Sequence, residues 1–164
     1  SQEIMAPILN HYDRKIQYSS LRIRRSLNFG KWTIDNSIMY QVVNQNDNIL
    51  NLPQFISRNT LYFKERIFKN TLSIQTGINF KIFSKFYANE YNPLISAFHV
   101  QSQKKIGGFP LFDFFFNAKI RQTKIFIIAE HINSSISGNS FYSTPESVYR
   151  DFGVRFGFKW NLFN

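Results

Sequence analysis

The C-terminal stretch YRDFGVRFGFKWNLFN, from Tyr149 to Asn164, decides the fold. Phe152, Val154, Phe156, Phe158, Trp160 and Leu162 occupy every second position, with Gly153, Arg155, Gly157, Lys159 and Asn161 between them. A period of two puts the two sets on opposite faces of a strand. One face is apolar and turns aromatic towards its end; the other is small, basic or polar. A soluble sandwich strand also alternates, but it turns its apolar side to a core. Here the pattern recurs along the chain and ends in an aromatic strand. It predicts an all-β fold, an antiparallel transmembrane β-barrel or the C-terminal part of a larger one, apolar to lipid and polar to a wet lumen.

Composition agrees. The 164 residues include 19 phenylalanines, and 18% of the chain is aromatic. Mean hydropathy is slightly negative, as expected where strands alternate and dilute their own apolar signal. No apolar run approaches the ~20 residues of a membrane helix. Cysteine is absent, which suits an exported protein but carries little weight. The net charge of +10 points first to nucleic acid. The basic residues are nevertheless scattered singly through strands, so no nucleic-acid partner is expected. The chain starts at Ser1, and an outer-membrane protein needs a signal peptide. We therefore expect a mature chain or part of a longer one. Residues 1–13 read as an irregular segment and 14–164 as barrel strands.

Strand segments fall at about 14–29, 32–44, 55–68, 71–85, 96–106, 109–120, 123–133 and 147–164. Gly30-Lys31 is a two-residue turn, Lys69-Asn70 a short connection, and Gly107-Gly108 another turn signal. From Thr123 the apolar parity flips. A turn at Arg121-Gln122 explains the flip, although Arg-Gln is poor turn chemistry and a bulge in one long strand is the alternative. With the turn there are eight strands, and the short turns lie away from the C-terminus. Without it there are seven, and the short turns share the C-terminal side, the usual barrel arrangement. Parity favours eight, loop lengths favour seven, and parity weighs slightly more.

From about Leu21 onward the chain resembles the putative porin family of Bacteroidetes outer membranes. The matching stretches are RNTLYFKERIFKNTLSIQTGINF, KFYANEYNP, VQSQKKIGGFP, FFFNAKIRQTKIFIIAEHINSS and the terminal YRDFGVRFGFKWNLFN. The resemblance implies a bacterial outer-membrane barrel and supplies no catalytic residues. Members of that family are longer, so this chain resembles their C-terminal portion. The implied partners are outer-membrane lipid, missing N-terminal strands of the same protein or another chain, and other outer-membrane proteins.

Parity places Arg22, Arg24, Lys64, Arg66, Lys81, Lys119, Arg155 and Lys159 towards the lumen, with fewer acids, Asp35, Asp113, Glu130 and Asp151. A cationic wall favours anions; the plainer reading is pairing with those acids and with lipid phosphates at the rim. The expected function is therefore porin-like passage of small polar solutes with modest anion preference. The alternative is a structural barrel subunit that docks partners in a larger assembly. A soluble sandwich or lipid-carrying barrel ranks third.

Arg25 and Glu65 break the apolar face, so they should sit near an interface, or parity slips locally. Phe29, Trp32, Phe152, Phe158 and Trp160 suit interfacial girdles; a sugar-stacking platform would require them to face the lumen. Phe115, Phe126 and Ile128 fall on the polar face and suggest a narrowed or plugged region. On a strand His99 and Ser102 point apart, and Ser134 and Ser135 beside His131 lie in a loop. No catalytic group, metal site or cofactor is therefore expected.

Overall fold

A computed structural model describes residues 14–94, 96–137 and 141–161. The expected irregular segment 1–13 and Leu162 lie outside the described residues. The described residues are all-β apart from a four-residue helix, α1 (Ser134–Ser137). Seven antiparallel strands make one sheet: β1 (Gln17–Phe29), β2 (Trp32–Asn44), β3 (Phe55–Ile67), β4 (Leu72–Phe83), β9 (Leu111–Ile120), β10 (Thr123–Glu130) and β11 (Gly153–Trp160), in that spatial order. Each pairs with its neighbour in the sheet, so the strands form a meander.

Between β4 and β9 the chain builds a small nested ladder. Its inner pair is β6 (Glu90–Asn92) with β7 (Ala97–His99), and its outer pair is β5 (Phe86–Tyr87) with β8 (Lys105–Ile106). The segment 96–106, expected as a long strand of the sheet, is therefore part of a loop excursion. Glycines at 107 and 108 with positive φ end that ladder. The Arg121-Gln122 turn does form: Thr123 pairs with Ile120, and Arg121 takes φ 51°, a left-handed conformation unusual for a side chain of this size.

This resolves the conflict between parity and loop length. The turn is real, but one expected strand is not in the sheet, so the sheet has seven strands among the described residues. The connections at Gly30-Lys31, 68–71 and Arg121-Gln122 all lie at the end where β11 finishes. The long connections 45–54, 84–110 and 131–152 lie at the other. The last strand also starts later than expected, at Gly153.

The register carries the pattern across the sheet. Leu27, Ile34, Leu61, Ile78, Phe114, Ala129 and Val154 stand opposite one another in a single apolar row over all seven strands. The next row towards the short turns holds Phe29, Trp32, Phe63, Thr76, Phe116, Ile127 and Phe156. These side chains are not a core: Phe156 is 84% exposed and Phe158 76%. Burial concentrates instead at the long-loop end. There Phe109 stacks on Phe141 at 4.1 Å between ring centroids and meets Tyr149 edge-on. Ile106 and Leu111 are buried beside it.

The sheet is not closed: among the described residues β1 pairs only with β2, and β11 only with β10. An odd number of strands in a meander makes the first and last run parallel. Both β1 and β11 run from the long-loop end to the short-turn end.

Candidate functional site

The polar face is the candidate site. A one-residue alternation along each strand fixes it, and cross-strand pairing extends it. All eight basic residues singled out in the sequence, Arg22, Arg24, Lys64, Arg66, Lys81, Lys119, Arg155 and Lys159, share this face by register. Arg58 and Lys124 share it too. Their parity was readable, since Arg58 lies six residues before Lys64 on the same strand and Lys124 two before Phe126. The acids of the strands on this face are Asp35, Asp113 and Glu130. Asp151 is not among them, because it precedes β11 in a loop. Phe152, like Asp151, lies in that approach, while Val154, Phe156, Phe158 and Trp160 occupy the opposite, apolar face.

Charges on the polar face are arranged by level. Near the long loops Lys81 and Arg155 are paired with acids, whereas Arg58, opposite Lys81, is in no ion pair among the described residues. Asp113, buried, accepts from Lys81 Nζ at 2.7 Å and from the backbone N–H of His131 at 3.0 Å. Glu130 bridges Arg150 and Arg155. Further polar links are Thr60 Oγ1 to Asn79 Oδ1 and Tyr18 Oη to Gln41 Oε1, each 2.8 Å. At the short-turn ends of β3, β4, β9, β10 and β11 the polar face carries no acid among the described residues, Asp35 lying on β2. Arg66, Ser73, Lys119, Lys124 and Lys159 stand opposite one another in one row across β3, β4, β9, β10 and β11.

The aromatic residues of this face do not project as a plug. Phe126 lies opposite Gly157, and its ring is 2.6 Å from where a Cβ would stand on that glycine. Phe115 lies opposite Gly77 and is buried. The Phe126 ring thus fills the space that Gly157 leaves on the next strand and lies along the wall, whereas Tyr62 and the Leu61 carbonyl close the space at Gly77. Of the two charges on the apolar face, Glu65 sits close to the short turns and pairs with Lys31. Arg25 meets neither expectation. Parity does not slip, and Arg25 is mid-strand between Ile23 and Leu27, in a row with Asn36 and Asn59. His131 is buried, with Nδ1 2.9 Å from the Arg150 carbonyl oxygen, and His99 Nε2 is 3.4 Å from Glu90. Both histidines belong to the loop end.

The sequence model of the putative porin family matches residues 6–164. The chain belongs to that family. The match begins earlier than the resemblance from Leu21 and takes in β1 whole. No curated protein and no solved structure matches the chain. For a putative porin, a sheet with one apolar and one polar face is the wall of a β-barrel, and the family points to a channel protein rather than an enzyme.

Proposed function

We propose that the sheet is part of the wall of a bacterial outer-membrane barrel that passes small polar solutes with a modest preference for anions. The observation that carries this reading is the contrast between the two faces. One bears exposed apolar rows across seven strands. The other bears ten Lys and Arg against three acids, as named above. Soluble proteins seldom leave so large an apolar surface uncovered, whereas lipid covers it at no cost. An eight-stranded barrel has room only for its own side chains, and ten long cations require a wider, wet interior. Antiparallel closure of a sheet whose end strands run parallel requires an odd number of added strands. We assign these to further polypeptide of the same protein or to another chain.

The test is the reversal potential of the complete barrel across a KCl gradient. Anion preference that fades as salt rises is the expected result, because the Debye length is about 8 Å at physiological salt and shortens further. Cation preference would reject it.

A second reading is favoured by Arg25. An Arg facing lipid at the bilayer midplane costs about 2–4 kcal/mol. Asn36 and Asn59 extend the polar row over three strands, and a carboxylate from a neighbouring outer-membrane protein would satisfy it. In this reading the barrel is a structural subunit of an assembly. Arg25→Leu should then reduce the size of the detergent-extracted complex on a native gel. For a lone porin the same variant leaves that size unchanged.

A further inference from the structure

The row nearest the short turns has an arrangement that general anion preference does not require. Lys119 is directly opposite Lys124, and Lys124 directly opposite Lys159. Like charges facing across a ladder destabilise it, yet three adjacent strands place them there. Arg66 joins the row through Ser73, and Lys69 and Arg121 project from the neighbouring turns. None of these six cations forms an ion pair among the described residues, whereas Lys81 and Arg155 on the same face are paired. A cavity of about 340 Å³ lies between Arg66, Lys69, Lys119 and Arg121, and Asn70, Thr71 and Ser73 add neutral donors to it. That volume suits a small solute.

We infer that this cavity binds a phosphoryl anion, either inorganic phosphate or the phosphate group of a small ester. The choice of class follows from the donors. Two guanidinium forks match the several oxygens of a tetrahedral dianion, lysines act as point charges, and hydroxyl and amide groups take the remaining lone pairs. A monovalent halide uses none of that geometry. Bound at the short-turn mouth, the anion is concentrated where it enters or leaves the barrel. The inference rests on the porin reading for its role, though not for its existence. The same chemistry also fits a lipid headgroup phosphate that reaches round the rim.

The experiment uses the complete protein in planar bilayers, with inorganic phosphate titrated against a chloride current. The variant is Arg66→Gln/Lys119→Gln/Arg121→Gln, and Lys85→Gln at the loop end is the control. Phosphate should block the current, and the triple variant should raise the half-blocking concentration by about tenfold or more, since three charge-assisted contacts are removed; the control should not. Equal block in all three proteins, or no block, overturns the site while leaving the porin reading intact. If no current is seen, the porin reading fails and equilibrium dialysis of labelled phosphate against detergent-solubilised protein decides. Binding that the variant loses supports the site, and no binding overturns it. Phosphorus analysis of the purified protein distinguishes the sources. Lipid phosphorus that the wild type retains and the variant loses makes the headgroup the occupant; its absence from both leaves the soluble anion.

Discussion

The ring of Phe126 lies across Gly157 on the neighbouring strand, 2.6 Å from the position a Cβ would take. A side chain at 157 must displace the ring, and the ring has a fixed size. Gly157→Ala should destabilise the folded barrel by about 1 kcal/mol, the low end for overpacking, because the half-exposed ring can swing aside. Adding Phe126→Ala should restore part of that loss. The readout is the urea midpoint of heat-modifiable migration in detergent. Additive losses in the double variant would contradict the contact.

Gly153 has the opposite surroundings, since nothing lies within 4 Å of a Cβ built there. Gly153→Ser on the polar face should be close to silent. Phe156→Arg on the apolar face should cost about 2–4 kcal/mol if that face meets lipid at membrane depth. Membrane-fraction yield and folding midpoint measure both. Equal tolerance of the two substitutions would remove lipid from the outer face.

Asp113 joins the sheet to the long-loop end by accepting from both Lys81 and the His131 backbone. Asp113→Ala leaves the buried N–H of His131 without this acceptor, at a cost of about 1–3 kcal/mol. Asp113→Asn keeps an oxygen for that N–H and should cost less. Limited trypsin digestion should cut at Arg150 faster in the alanine variant than in the asparagine variant. Equal rates would show that the acceptor does not hold this loop.

Parallel end strands make direct closure between β1 and β11 the wrong geometry for an antiparallel barrel. Cysteines at Ile125 and Phe158, which are directly opposed, should form a disulfide in the membrane-inserted protein. Cysteines at Ile23 and Phe156 should not. A disulfide between 23 and 156 would mean that these seven strands close by themselves.

Side-chain alternation is a property of each strand alone, so the sequence by itself determined the two faces. Phe152 to Trp160, the Leu72 to Ile82 run and the Phe112 to Ile120 run could be sorted without knowing what lay beside them. The Gly30 turn was equally local, because glycine has the left-handed conformation at no steric cost. The Arg121 turn was legible only through the parity flip that it causes; its residue types argued against it. Three things needed the tertiary structure. Residues 96–106 carry β-forming side chains but pair within a loop excursion, because β4 finds its partner in β9. The level of each charge depends on hairpin register and loop length, which lie outside any single strand. That register leaves Lys119, Lys124 and Lys159 in one row without an ion pair among the described residues, gives Asp113 and Glu130 to the far end, and puts Arg25 mid-strand beside Asn36. A sequence tells which way a strand residue points, whereas its height on the wall and its neighbours there are decided when the strands align.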